Sequence, residues 1–249
     1  MLKPPEKRFL FNAYAVALAA TFRKPKDEFL EAQAPVALPG SGGMASARVE
    51  NFSFRNIISF RSAHSQASGT HNRETGAYNT LVTSVIEGFS IMGVVTADRI
   101  VARLASRHFI EPPGDAIRTP EPSIRTLGSH IDNLQIAGHK VTLALDHEIQ
   151  SDWHTYSLAL EGHHKRETGY TVYGPKISTS IFKGVDCELK PAGHRIEFPE
   201  LGTLYLGEIH METDERRLTM IRFELGCSIE AIGGTGDVGG NGSPVPPIG

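Results

Sequence analysis

Short runs in which apolar and polar residues alternate, separated by clusters of Gly, Asn, Pro and Ser, dominate the chain from residue 46 onward. Alternation of this kind is typical of β-strands and hairpins. A parallel α/β fold needs helices between its strands, and few segments have a helical pattern. The pattern therefore predicts an all-β fold, an antiparallel β-sandwich or flattened barrel. The predicted strands and hairpins fall within 46–67, 76–108, 123–149, 168–189 and 194–232.

One hairpin can be placed in detail. Residues 203–212 and 217–225 flank the polar segment 213–216, which has the length of a hairpin turn. The second strand has three apolar side chains on one face and two charged side chains on the other, which are Ile221, Phe223 and Leu225 against Arg222 and Glu224. This alternation predicts a sheet with one solvated face.

Residues 150–167 break the β pattern and predict one helical insertion between sheet strands. Ser151 is a candidate N-cap, and Trp153, Tyr156 and Leu160 follow at helical spacing. Trp153 is the only tryptophan of the chain, so its fluorescence is expected to report how the helix docks.

The uncharged run 9–22 predicts an apolar N-terminal strand within residues 1–22. Because both of its faces carry apolar side chains, the strand is expected to be buried on both sides. Basic residues before the run also give it the outline of a secretory signal. The run is too short to cross a bilayer, so no membrane span is expected.

Linker composition favours one domain over two. Residues 32–43 are rich in Pro and Gly and predict a linker after the first strand, within a single β-rich domain covering 1–232. Residues 233–249 form a Gly/Pro-rich C-terminal tail, a composition typical of solvated linkers. If this tail is ordered, we expect contacts with a neighbouring subunit to keep it in place.

Three segments, 49–54, 86–91 and 131–136, share one order of residue types: apolar, acid, Asn or Gly, apolar, Ser or Gln, apolar. Asn and Gly tolerate left-handed backbone geometry, so the third residue predicts a bend or bulge. The fourth and sixth residues are expected to face the core. The unequal spacing of the segments argues against a solenoid and favours three equivalent strands of one sandwich.

A second interpretation of these segments is functional. Their acids, Glu50, Glu87 and Asp132, would converge on a common cation site.

Charge and cysteine content narrow the function classes. The 25 basic and 28 acidic residues give a net charge of −3, so no nucleic-acid partner is expected. The two cysteines, Cys187 and Cys227, are expected to be buried thiols, with a disulfide as the alternative in an oxidising compartment.

Residues Glu208, His210 and Glu212 alternate along one predicted strand, so they share a face that could offer two carboxylates and an imidazole to a divalent metal. Gly207 is expected to mark a bulge at which the apolar face changes. A solvated strand face would have the same pattern. No nucleophile, zinc-protease, phosphate-loop or Cys-x-x-Cys motif is present, so no catalytic residue and no cofactor is predicted.

Several segments together resemble the choice-of-anchor P type of β-rich bacterial surface protein. They are 12–16, 38–43, 94–102, 131–138 and 202–208. The resemblance implies an all-β, non-catalytic module of unknown role that is secreted or anchored to the cell wall. This chain departs from that family in its histidine and charge content, its helical insertion and its lack of a clear signal peptide. For the location of the protein, the resemblance implies the cell surface, whereas the lack of a clear signal peptide favours the cytoplasm.

These patterns predict a structural or interaction protein that assembles with copies of itself through β-strand contacts. Three features support assembly: an edge-capable strand at 80–86 with few charges, an apolar first strand behind a flexible linker, and the tail. One alternative is a module that binds a carbohydrate or cell-surface ligand. Another is a metal-dependent enzyme centred on Glu208, His210 and Glu212.

Overall fold

The structure is a computed structural model that describes residues 8–111, 114, 120–165, 171–173, 176–199, 201–226 and 229–245. It confirms an all-β fold. In chain order the strands are β1 (Arg8–Lys24), β2 (Glu28–Gln33), β3 (Val36–Ala37), β4 (Gly43–Phe54), β5 (Ile58–Asn72), β6 (Ala77–Ile91), β7 (Val95–Phe109), β8 (Ser123–Arg125), β9 (His130–Asp132), β10 (Gln135–Ile136), β11 (His139–Lys140), β12 (Thr142–Leu145), β13 (Thr171–Tyr173), β14 (Lys176–Ser180), β15 (Phe182–Asp186), β16 (Arg195–Phe198), β17 (Gly202–Met211), β18 (Arg216–Gly226) and β19 (Glu230–Val245). A π-helical turn, Glu148–Asp152, and the α-helix α1 (Tyr156–Lys165) lie between β12 and β13.

Two large antiparallel sheets form the sandwich. In the first, which we call the meander sheet, β4 to β7 each pair with their neighbours in sequence, and the short strands β8 to β11 extend it beyond β7. The second, the terminal sheet, contains both ends of the described chain in the order β13-β14-β17-β18-β19-β1-β2. In the terminal sheet, β3 also pairs with β1 and β16 with β17, while β12 and β15 form a separate pair.

The three repeated segments occupy one row across the meander sheet. Their third residues, Asn51, Gly88 and Asn133, have φ angles of 53°, 64° and 51°, which confirms the predicted left-handed geometry. The strand pairing is the same on both sides of this row, so no residue is inserted and the predicted bulge is absent. Instead, the alternation of inward and outward side chains shifts by one residue. This shift turns the following apolar positions toward the core, where Phe89 and Leu134 are buried.

The acids of the repeated segments do not converge. Strand pairing places Glu50 beside Ser62, Ser62 beside Glu87, and Arg99 between Glu87 and Asp132. Each acid therefore lies two strands from the next, about 10 Å at ordinary strand spacing. The prediction of a common cation site is wrong, because a serine or an arginine separates each pair of acids.

The terminal sheet has an equivalent row. Gly207 on β17 and Gly236 on β19 have φ angles of 62° and 60°, and the pairing again continues without an inserted residue. The predicted change of apolar face at Gly207 is confirmed. A Cβ on Gly207 would stand 2.6 Å from the ring of Phe182, and one on Gly236 would stand 3.4 Å from Cβ of Ala102 in the opposite sheet. Both glycines therefore allow close packing as well as left-handed geometry.

The apolar N-terminal strand is confirmed as β1, but only one of its faces is buried along its first half. Phe9, Phe11 and Ala13 point into the core, whereas Leu10 is 51% exposed. The expectation of burial on both sides is therefore wrong. The outward side chains of this half, such as Leu10 and Asn12, are exposed.

The segment 32–43 is not a free linker. Ala34, Val36 and Leu38 are buried, and β3 pairs with β1. The backbone N–H of Leu38 donates to the carbonyl of Ala13 at 2.8 Å. Apolar side chains at alternate positions fix this segment against the first strand, despite its Pro and Gly content.

The interpretation of 233–249 as a solvated tail is wrong for its described part, because β19 is an interior strand between β18 and β1. It pairs with β1 from Arg8↔Val245 to Lys24↔Glu230. Aromatic rings cover several of its glycines. Cβ atoms built on Gly233, Gly239 and Gly242 would stand 2.4, 2.2 and 2.2 Å from Phe223, Tyr14 and Phe9. The missing side chains are replaced by rings from elsewhere in the chain, and residues 246–249 lie outside the described residues.

The helical insertion is confirmed, but α1 begins at Tyr156 rather than at Ser151. Thr155 lies just before the helix, and its hydroxyl oxygen accepts a hydrogen bond from the N–H of Leu158 at 3.3 Å, as an N-cap does. The hydroxyl of Ser151 instead donates to the carbonyl of His147 in the π-helical turn. Trp153 is only 3% exposed and packs against α1 at Gly162.

Candidate functional site on the terminal sheet

The outward face of the terminal sheet brings together the charged residues of β17, β18 and β19. Alternation along these strands sends Ile209, Leu218 and Val238 into the core and their neighbours outward. Because cross-strand partners point to the same side of a sheet, Glu208, Thr219 and Asp237 form one outward row. This row and the next contain the predicted site residues Glu208 and His210.

Glu208 is a carboxylate of this face that contacts two basic side chains. Arg222 donates to it twice, from Nε to Oε2 at 2.5 Å and from Nη2 to Oε1 at 3.1 Å. Nε2 of His194 lies 3.7 Å from Oε1. Such a paired arginine fork is among the stronger charge-assisted contacts in proteins.

Arg222 links Glu208 to a second acid and to an aromatic ring. Its Nη1 donates to Glu224, and its guanidinium carbon lies 3.5 Å from the ring centre of Tyr205. Burial alone would raise the pKa of Glu208, but the hydrogen bonds from His194 and Arg222 and their positive charges lower it from 4.5 to about 2. Glu208 is therefore a carboxylate at neutral pH, held by two basic side chains.

The three predicted metal ligands have separate surroundings. The carboxylate of Glu208 contacts Arg222 and His194. Burial lowers the pKa of His210, and its Nδ1 is buried without a hydrogen-bond partner in the described part of the chain. Glu212 lies beyond the end of β17 and pairs with Lys176 at 3.1 Å.

Metal-ligand geometry is therefore not formed at these positions. Among the described residues, no group of three or more His, Cys, Asp or Glu side chains could hold a metal ion. The alternation rule placed Glu208 and His210 on one face correctly, but it carried no information about the cations that occupy the carboxylates.

A second ion pair lies beside the first. Arg217 donates to Asp237 from Nε at 3.0 Å and from Nη2 at 2.7 Å, and the hydroxyl of Thr219 donates to the same carboxylate at 3.3 Å. Tyr14 lies next to this pair. Its burial, followed by the negative charge of Asp237, raises the pKa of Tyr14 to about 12.

Between the two ion pairs, a groove of about 310 Å³ opens on the outward face. Its floor consists of small side chains and glycine backbone, and its walls carry two arginines and an isoleucine. The lining residues are Val16, Ala19, Ala32, Arg217, Thr219, Arg222, Ile232, Gly233, Gly234 and Asp237.

Sequence reasoning missed Arg222 and His194 as partners of Glu208. The predicted hairpin already placed Arg222 on an outward face of the neighbouring strand. Its contact with Glu208 depends on the register, in which Tyr205 pairs with Arg222 and Glu208 with Thr219. A shift of the pairing would separate the two side chains, and the turn sequence alone does not fix the register to one residue.

The cysteines are described in part. Cys187 is a half-buried free thiol. Cys227 lies outside the described residues. Whether the two cysteines are thiols or form a disulfide therefore stays a prediction.

The family model of a domain of unknown function, DUF8256, matches residues 9–172, which is more than half of the chain. The chain therefore belongs to the DUF8256 family. The matched region contains the whole meander sheet and ends before β14. No curated protein and no solved structure matches the chain. Of the helices in the described residues, none has the length and apolar character required to cross a membrane.

Proposed function

We propose that this protein is a non-catalytic interaction protein that associates with a second copy of itself through the open edge of β4. The observation that carries the proposal is that β4 is 12 residues long and, within the described chain, pairs with β5 alone. Edge strands present unpaired N–H and C=O groups to which another strand can add.

The first half of β4 has none of the features that normally protect an edge. Its sequence from Gly43 to Ala47 contains no proline, lysine or acid, and Met44 is 69% exposed. Native edges are usually short, charged or bulged. An edge strand whose first half is unprotected is therefore consistent with a surface that is covered by another strand.

The charges on β4 favour a second copy as the partner. Arg48 and Glu50 lie on the same face and form an ion pair at 2.5 Å. In an antiparallel pairing of two β4 strands about Val49, Arg48 of each copy lies opposite Glu50 of the other. The edge is therefore complementary in charge to itself, as an isologous interface requires.

The proposal moves the contact away from the segments identified by sequence. The segment 80–86 lies in β6, an interior strand between β5 and β7, and β1 and β19 pair with each other. All three segments have strand partners within the chain, so none of them offers a free edge. Strand addition at β4 keeps the predicted mode of assembly and changes its location.

The test is the molar mass of the purified protein by light scattering, from micromolar to near-millimolar concentration. The wild type is expected to reach the mass of a dimer. R48E or E50R places like charges opposite each other and weakens the dimer by at least about ten-fold. The double variant R48E/E50R restores opposite charges and is expected to restore the dimer.

The matched control is R195E, which breaks the same kind of pair, Arg195 with Glu197, on β16. This variant is expected to keep the wild-type mass. A wild type that stays monomeric at every concentration overturns the proposal. So does a double variant that is as monomeric as the single variants.

A further inference from the structure

The groove on the outward face of the terminal sheet has an apolar floor. Gly233 and Gly234 of β19 form its centre, with Ala19 on the neighbouring strand and Ala32 beyond it. A volume of about 310 Å³ is at the small end of ligand sites and suits one or two fused rings. Ile232, which is 47% exposed, supplies an apolar wall.

The neighbouring glycines indicate what such a floor can hold. On the same outward face, the ring of Tyr14 lies against Gly239, where a Cβ would stand 2.2 Å from the ring. Gly234 has no such cover. A Cβ there would meet only the methyl group of Thr219, at 3.1 Å, and the carbonyl oxygen of Ile221, at 3.8 Å. The strand thus has one outward glycine covered by an aromatic ring and one that is open.

The polar groups around the groove offer hydrogen-bond donors. A guanidinium has five N–H groups. Arg217 donates two of its N–H groups to Asp237. Arg222 donates three, two to Glu208 and one to Glu224. Asp237 is already shared between Arg217 and Thr219. These contacts leave three N–H groups of Arg217 and two of Arg222 in the described chain, so the walls of the groove suit a ligand with acceptor oxygens.

We propose that this groove binds a small planar aromatic carboxylate, with its ring on the glycine floor at Gly234 and its carboxylate toward Arg217 and Arg222. This site goes beyond self-association at β4 and does not depend on it, because the groove and the edge belong to different sheets. Ring stacking on the floor buries apolar surface, and the arginine N–H groups orient the carboxylate.

The experiment is a titration of the full-length, isotope-labelled protein with naphthoate, followed by amide chemical shifts. Shifts are expected to concentrate at Ala19, Ala32 and 232–234. Naphthylmethylamine carries a similar ring with the opposite charge, and it is expected to bind at least about ten-fold more weakly. Equal affinity for the two compounds would contradict the role of the arginines.

The variant G234V places a side chain on the floor of the groove at a residue without left-handed geometry. It is expected to weaken naphthoate binding by at least about ten-fold. The matched control is G226V at the end of β18, where a Cβ would meet nothing within 4 Å; it is expected to bind like the wild type. The proposal is overturned if naphthoate causes no localised shifts, or if G234V folds and binds as well as G226V.

Discussion

The ring of Tyr14 on β1 lies against Gly239 on β19, so closely that a Cβ on the glycine would stand 2.2 Å from Cε1 of the tyrosine. The two residues are also direct partners in the pairing of these strands. Glycine weakens a strand because it contributes no side chain to pack. Here the aromatic ring of the first strand supplies the missing contact, and this explains how a glycine-rich segment becomes an interior strand.

Replacing Gly239 by alanine is expected to destabilise the fold. The new methyl group forces the ring of Tyr14 away from β19, at a cost of about 1–3 kcal/mol in the free energy of unfolding. Urea unfolding measures this change. The matched control is Gly240→Ala on the same strand, where a Cβ would stand 3.9 Å from Leu104. A loss of stability in the control equal to that of Gly239→Ala would mean that glycine itself, and not the ring, determines the effect.

The contact between Trp153 and Gly162 gives a spectroscopic prediction. A Cβ on Gly162 would stand 2.2 Å from Nε1 of Trp153, so Gly162→Ala must displace either the indole or α1. We expect a red shift of the tryptophan emission, because the displaced ring meets water. Gly184→Ala is the matched control, since its Cβ would lie 3.8 Å from Ala144. An unchanged spectrum of a folded Gly162→Ala protein would contradict the docking of α1.

His108 predicts a dependence of stability on pH. Burial lowers its pKa from 6.5 to about 4, against an opposing effect of Asp214. The unfolded chain therefore takes up this proton first. The stability that neutral His108 contributes is present above about pH 6.5 and declines as the pH falls toward 4, by about 1.5 kcal/mol between pH 6.5 and 5.

Urea unfolding of His108→Leu at both pH values tests this assignment. The variant is expected to lose most of the decline seen in the wild type. His64→Leu, on the exposed face of β5, is the control for the substitution itself. If His108→Leu and His64→Leu show the same decline, another group is responsible.

Removing the charge of Glu208 tests its role on the outward face. Glu208→Gln leaves Arg222 and His194 without their shared carboxylate, so we expect a loss of about 2–3 kcal/mol at pH 7. Because the pKa of Glu208 is lowered from 4.5 to about 2, this contribution is complete above about pH 4.5 and is lost as the pH falls toward 2. Glu197→Gln breaks an exposed ion pair and is expected to cost less than about 1 kcal/mol. Equal losses at the two positions would refute a special role for Glu208.

Local residue preferences predicted much of this fold. The third residue of each repeated segment, such as Asn51 or Gly88, was identified because few residues tolerate left-handed geometry, and the structure confirms it. The change of face at Gly207 follows from the same reasoning. Strand alternation also placed Arg222 and Glu224 on an outward face. These features depend on the residue itself and its near neighbours.

The incorrect predictions concern contacts between distant parts of the chain. The composition of 233–249 is that of a linker, and its role as a strand depends on Tyr14 and Phe9 at the other end of the chain. The pairing of Glu208 with Arg222 depends on the exact register of β17 and β18. Neither relationship leaves a local pattern, so the sequence could not show that Arg222 and His194 contact Glu208 on the face predicted for Glu208, His210 and Glu212.

Hydrogen exchange of the β4 amides at low and high protein concentration tests the central claim most directly. Antiparallel strand addition about Val49 predicts that the edge-facing amides within 44–54 exchange more slowly as the concentration rises, while those of β2, at the edge of the other sheet, do not change. Exchange at β4 that is independent of concentration, in a protein whose β5 amides remain protected, would contradict self-association through this edge.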